Sequence, residues 1–252
     1  MDKNRNIKIL ELLDKHKYLS VHSLSRHLEC TEATVRRALE LLDKEGLLKR
    51  VHGGAVNIGS NFVHCNVKEA LYQNREAKIS IARKAFELLE DGDSVFIDDA
   101  STCMYLSGFI ENHSEIHLHI ITNSVIFAER IFGCSHASIM LIGGSVSPIL
   151  GATEGENALA QISTFTAKRA FIGVNGIDVE KGITLIGYPQ QEVKAAMMKT
   201  SKENYILADS SKFGNVYMSK LCDLSFPTAI IADGDLPPST KRAYQEKGIR
   251  IL

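Results

Sequence analysis

The chain has 252 residues, of which 44% are hydrophobic and 23% charged, with a net charge of −1. That balance is ordinary for a globular protein and leaves room for one large domain or two smaller ones. No apolar run reaches 18 residues and no charged-then-apolar leader opens the sequence, so neither a membrane span nor a secretory signal is expected and the cytoplasm is the expected compartment.

Cys30, Cys65, Cys103, Cys134 and Cys222 are widely spread with no C-x-x-C pair, which argues for free thiols over a disulfide framework or a zinc knuckle. His117 and His119 would share one face of a strand, but no third ligand stands near them, and neither a metal nor a cofactor is expected. The net charge hides an asymmetry. Residues 1–52 carry 11 Lys and Arg against 8 Asp and Glu, a net of +3, and the remaining 200 carry 18 against 22. A small basic head precedes an acidic body.

In chain order, apolar spacing predicts three short helices in the head. The first runs from about Arg5 to His16 around Ile9, Leu10 and Leu13. The second starts at a Ser20 cap and buries Val21, Leu24 and Leu28. After a tight turn, Thr31 caps a third helix whose stripe is Val35, Leu39 and Leu42, with Glu32 suiting the positive end of its dipole. At about 100° per residue, Arg37 points away from that stripe and Arg36 lies to one side, with Ala33, Glu40 and Lys44 in the outward sector. Two helices joined by a short turn, the second offering Ala33, Thr34, Arg36 and Arg37, match a helix-turn-helix whose recognition helix enters a major groove. The alternative is a solvated helix face, its positive field diluted by Glu32 and Glu40.

The stretch "LLKRVHGGAVNI" then alternates apolar and basic residues and turns at Gly53-Gly54, as a two-stranded wing does. Lys49, Arg50 and His52 on that ribbon suit phosphates or the minor groove. With Ser20 and Thr31, these residues make up the candidate DNA-binding set. "TVRRAL" followed by "EGLLKRVHGGAV" resembles the N-terminal signature of the DeoR family of bacterial sugar-metabolism repressors. The sequence departs from that pattern at Ala38, where the family usually has an acidic residue. A head over residues 1–58 is expected, with a linker over 59–74.

From Arg75 onward helices and strands alternate, which implies an α/β body over 75–252 with a mostly parallel sheet. Expected strands include "SVFID", "LHIIT", "SIMLIGG", "RAFIGV", "NYILAD" and "TAIIAD", with helices such as "VIFAERIF" and "QEVKAAMMKTS" between them. Ligands of such sheets bind at the carboxyl ends of strands. Asp98, Asp99, Ser101 and Thr102 follow the first strand at an expected helix start, where hydroxyls and free N–H groups suit a phosphate and the carboxylates suit sugar hydroxyls. Thr122 and Asn123, then Gly143 and Gly144, end the next two strands. Asp178, Asp209 and Lys212 follow later ones, the lysine placed to neutralise a phosphate.

"FIDDASTC", "ITNS", "IGG", "AFIGVNGID" and "LADSSKFG" resemble the DeoR-family sensor domain, so that the resemblance spans nearly the whole chain. It implies a fold similar to ribose-5-phosphate isomerase and a phosphorylated sugar effector that releases a repressor from double-stranded operator DNA. The effector residues it implies are Asp98, Ser101, Thr102, Thr122, Asn123, Gly143, Gly144, Asp178, Lys194 and Lys212. Ala100, where glycine is usual, and Gln190, near which a glutamate is usual, depart from the pattern.

A homo-oligomer, dimer or tetramer, is expected from symmetric operators. The rival readings are a sugar-phosphate isomerase and a body that only oligomerises. The isomerase needs a base within reach of a carbon-bound proton, and no carboxylate is paired with a lysine at a fixed spacing in the sequence. The chain is therefore expected not to be an enzyme.

Overall fold

The computed structural model describes residues 3–16, 18–44, 47–51, 53–56 and 67–252. The chain divides into two compact units, Met1–His64 and Cys65–Leu252. His52, Cys65 and residues 59–66 of the expected linker lie outside the described residues.

The first unit contains α1 (Lys3–His16), β1 (Tyr18–Ser20), α2 (Val21–His27), α3 (Glu32–Lys44), β2 (Lys49–Val51) and β3 (Gly54–Val56). Ser20 Oγ accepts from the Ser23 N–H at 3.0 Å and Thr31 Oγ1 from the Thr34 N–H at 3.3 Å, so both expected caps start their helices. Ile9 and Leu13, Val21 and Leu24, and Val35, Leu39 and Leu42 meet in one core. The wing is antiparallel, with Gly53 turning it at a φ of 79°, a conformation that favours glycine. β1 adds a third strand in the order β1-β3-β2. Three residues are too short to show a period, which is why sequence spacing does not reveal it.

The second unit opens with α4 (Val67–Ala70) and α5 (Arg75–Phe86). Val67 and Leu71 are buried against this unit and Asn74 donates to Asp209 at 3.1 Å, so the stretch 67–74, read as linker from the sequence, is packed on the body. There follow β4 (Ser94–Ile97), the 3-10 turn Cys103–Tyr105, α6 (Leu106–Glu111), β5 (Leu118–Thr122), α7 (Val125–Arg130), β6 (Ala137–Leu141), β7 (Ser145–Ser147), β8 (Ala152–Glu154) and α8 (Glu156–Ile162). Then come β9 (Ala167–Gly173), β10 (Gly176–Asp178), β11 (Gly182–Leu185), α9 (Tyr188–Lys199), β12 (Ser201–Leu207), the 3-10 turn Ser210–Lys212, β13 (Ser219–Cys222), β14 (Ala229–Ile231) and α10 (Pro238–Gln245).

Six strands form a parallel sheet in the order β14-β12-β9-β4-β5-β6. Alternate side chains feed two cores, as a period of two requires. Val95, Ile97, Phe171, Tyr205 and Leu207 join the core with α5 and α6, and Phe96, Ala170, Ile172 and Ile206 join the core with α8 and α9. Burial on both faces explains why these strands read as continuous apolar runs. A hairpin, β7-β8, and a second antiparallel sheet, β10-β11-β13, complete the unit.

Candidate functional site

In the first unit, α3 turns Val35, Ala38, Leu39 and Leu42 inward and leaves Ala33, Arg36, Arg37 and Glu40 exposed. Arg36 Nη2 donates to Glu32 Oε2 at 2.8 Å, one turn back. Arg50 is exposed, and its N–H donates to Asp43 at 2.9 Å, fixing the wing to the end of α3. Ser20, Glu32, Arg36, Arg50, Gly53 and Gly54 border one groove of about 210 Å³. The helix cap, one arginine of α3 and the wing are thereby gathered on a single surface, with Arg37 on the adjoining side of α3. Ala38 sits in the core at 3% exposure. A carboxylate at that position would be desolvated, and in this chain it is Glu32 that orients an arginine.

In the second unit the parallel strands run outward in both directions from the β4/β9 pair, and the crevice at such a switch point is where ligands of doubly wound sheets bind. Asp98 follows β4 there and is completely buried. Its Oδ1 accepts from the Ala100 N–H at 2.9 Å and its Oδ2 from the Gly173 N–H at 2.8 Å, which ties the two central strand ends together. Lys194, from the buried face of α9, donates to the same Oδ2 and lies 3.1 Å from Asp99. Gln190, one turn earlier, donates to Asp99 Oδ2 at 3.3 Å. Burial alone would favour loss of the Lys194 proton, but the Asp98 and Asp99 carboxylates outweigh it and hold the lysine pKa above its ordinary value. Burial, reinforced by Asp99 and opposed by the Lys194 ammonium, raises the Asp98 carboxyl above its ordinary value, so the cluster sets two carboxyl groups against one ammonium.

Gly173 and Ala100 touch across this crevice. A methyl group added to Gly173 would lie 2.1 Å from the Ala100 Cβ, so residue 173 has no room for a side chain while residue 100 is alanine. Next to β4, Thr122 aligns with Ile97, which places Asn123 beside Asp98 in the sheet. Asn123 donates to the Thr153 carbonyl at 3.1 Å, while its own Oδ1 is buried with no partner among the described residues. Thr122 Oγ1 accepts from the Ser124 N–H at 3.0 Å, and Ser124 caps α7. Thr102 is buried, Ser101 is half-buried, and the Thr102 hydroxyl makes no capping bond. The helix expected at that point is a single 3-10 turn followed by a six-residue helix, so little dipole stands behind it.

Gly143, Gly144 and Asp178 have contacts of their own. The Gly143 N–H donates to Gln161 at 3.0 Å. Gly144, at φ 147°, lies so close to the Glu154 carbonyl that a Cβ would come within 2.7 Å of it. Their closeness serves the chain's own packing. Asp178 accepts from the Glu180 and Lys181 N–H groups at 2.9 and 2.8 Å, which closes the β10-β11 turn and lowers its carboxyl pKa. Lys212 is half-buried on the 3-10 turn after β12. His117 pairs with Asp91 at 3.1 Å and His119 with Ser138 at 2.8 Å, each with its own neighbour. Sequence reasoning missed the bonds of Asp99, Gly173 and Gln190, because they join residues 75 to 95 positions apart. The one local signal was the doublet Asp98-Asp99 at a strand end.

Two family models match the chain: the DeoR-like helix-turn-helix domain over residues 5–61 and the DeoR C terminal sensor domain over residues 73–234. The uncharacterized HTH-type transcriptional regulator FruR of Bacillus subtilis is 31% identical, covering 96% of this chain and 94% of that protein. The glycerol-3-phosphate regulon repressor of Escherichia coli is 29% identical, covering 96% of this chain and 95% of its own length. Among solved structures, ribose 5-phosphate isomerase A of Methanocaldococcus jannaschii matches 56% of this chain and 55% of its own, with 15% identity and a TM-score of 0.41.

Proposed function

The chain belongs to the DeoR family of transcriptional regulators, and from that membership and the two sites we propose that it represses a carbohydrate catabolic operon and is released by a phosphorylated sugar. In this reading it is a cytoplasmic homo-oligomer that binds double-stranded DNA through Ser20, Thr31, Ala33, Thr34, Arg36, Arg37, Lys49, Arg50, His52, Gly53 and Gly54. The effector lies at the strand ends near Asp98, Asn123 and Lys194, with Ser101, Thr102 and Lys212 for its phosphate. Among the described residues no helix is long and apolar enough to cross a membrane.

The observation that carries the reading is the joining of an exposed arginine face on α3 to a wing in one unit with a buried two-carboxylate, one-lysine crevice in the other. A surplus buried carboxylate favours a ligand rich in hydroxyl donors, as a sugar is. Such a ligand acts only through its different affinity for the DNA-competent and DNA-incompetent states.

One feature favours the isomerase as a second reading. The structure does bring carboxylates and a lysine together, across 96 residues, where the sequence shows no pair at a fixed spacing. Against it, Asp98 already accepts from two N–H groups and the lysine, which leaves it poorly placed to take a proton from carbon.

Genomic DNA fragments retained by the purified protein at near-physiological salt test the proposal. It expects enrichment of a few sites with repeated half-sites, loss of retention on adding one member of a sugar-phosphate panel, and no interconversion of the sugars. Turnover of a sugar phosphate, or no retention above background, would overturn it.

A further inference from the structure

Glu32 stands in the first turn of α3 with its side chain 41% exposed, on the groove it shares with Arg36 and Arg50. A carboxylate there opposes any attraction to phosphate, so a surface built only for backbone contact would lack it. The structure nevertheless holds it in place. Oε2 accepts from Arg36 at 2.8 Å, and Oε1 lies 3.4 Å from His22 Nδ1 at the start of α2.

Side by side on one exposed helix face are an acceptor-only carboxylate and a guanidinium with five N–H donors, one of which Glu32 takes. The major-groove edge of a C·G pair is their complement: the cytosine N4 amino donor stands next to the O6 and N7 acceptors of guanine. A T·A pair presents acceptor, donor, acceptor instead, and would set thymine O4 against the carboxylate. The N-terminal part of a recognition helix is the part that meets base edges, and Glu32 and Arg36 both lie there.

We propose that Glu32 and Arg36 act as one unit that reads a single C·G pair in each half-site, Glu32 accepting from cytosine N4 and Arg36 donating to guanine O6 and N7. This rests on the reading of the first unit as DNA-binding. Glu32 is a specificity residue in this account, and its negative charge lowers affinity for every other sequence.

Selection from a random DNA library by the full-length protein and by its Glu32→Ala, Glu32→Gln and Arg36→Ala variants, all at one salt concentration, tests it. The wild type should enrich a C·G pair at a fixed place in each half-site. Glu32→Ala and Arg36→Ala should both lose that preference by about tenfold at the same place and keep the rest of the site. Glu32→Gln should shift the place toward adenine, whose N7 and N6 match an amide. A uniform gain in affinity by Glu32→Ala with an unchanged half-site would overturn the proposal, as would losses at different places in the two alanine variants. Failure of the wild type to enrich any sequence would instead overturn the DNA-binding reading, and the proposal with it.

Discussion

Lys194 shows how much depends on a single side chain. Replacing it with methionine leaves Asp98 and Asp99 buried without a countercharge, and breaking a buried pair in this way costs about 3–5 kcal/mol. Urea unfolding of Lys194→Met should show that loss in the second unit, and a change under 1 kcal/mol would contradict the assignment. The partner carboxylates raise the lysine pKa, so its stabilisation is fully present below the ordinary lysine value of about 10.4 and disappears only as pH climbs through the folded value. Unfolding of the wild type at pH 7 and pH 9 should therefore reveal no loss from this group.

The contact between Ala100 and Gly173 gives a second test. Gly173→Ala should cost about 1–3 kcal/mol by overpacking, and adding Ala100→Gly should restore most of it, because the clashing atom is the Ala100 methyl. Equal melting temperatures for the single and double variants would refute the contact. At Cys222 burial pushes the thiol up to about 12, and at Cys103 it raises the thiol well above the ordinary value. Alkylation at pH 8 should spare both in the folded protein and reach them in urea, which mass spectrometry of tryptic peptides reads directly.

At the scale of elements, the recognition helix and the wing make separable predictions. Arg37 lies on the outward face of α3, so Arg37→Ala should cost about 1–3 kcal/mol and relax one base preference if it reads a base. Arg50 lies on β2, and if it meets only phosphate, Arg50→Ala should weaken all sequences alike and flatten the salt dependence by about one unit. Binding titrations at several salt concentrations measure both, and unchanged affinity in both variants would remove the assignment of the head. The long, strongly patterned elements α3, α5, α9 and the six parallel strands follow from apolar spacing. Of the three-residue strands, β14 is an apolar run and β2 and β3 lie about the Gly53 turn, whereas β1, β7, β8 and β10 carry neither signal and depend on tertiary partners for their pairing.

At the scale of the whole molecule, effector binding and stability are linked. A sugar phosphate at 100 times its dissociation constant should stabilise the protein by about 2.7 kcal/mol. A thermal-shift panel reads this, and absence of any shift across pentose, hexose and triose phosphates would favour a body that only oligomerises. The same ligand should lower operator affinity by the factor with which operator lowers ligand affinity, since coupling between two sites is reciprocal.

The sequence by itself determined the two-part organisation, the outward arginines, the parallel α/β body and the family, because each is written in local periodicity or in short contiguous motifs. Asp98 and Asn123 were legible for the same reason, as polar residues directly after apolar strands. Only the tertiary structure decided which of the polar strand ends belong together. Lys194 reaches Asp98 from a helix 96 residues away, whereas Gly143 and Gly144 pack against Gln161 and Glu154 and Asp178 closes its own turn. A strand end that binds a ligand and one that closes a turn use the same small polar residues, and what separates them is which neighbours the sheet order brings within 3 Å.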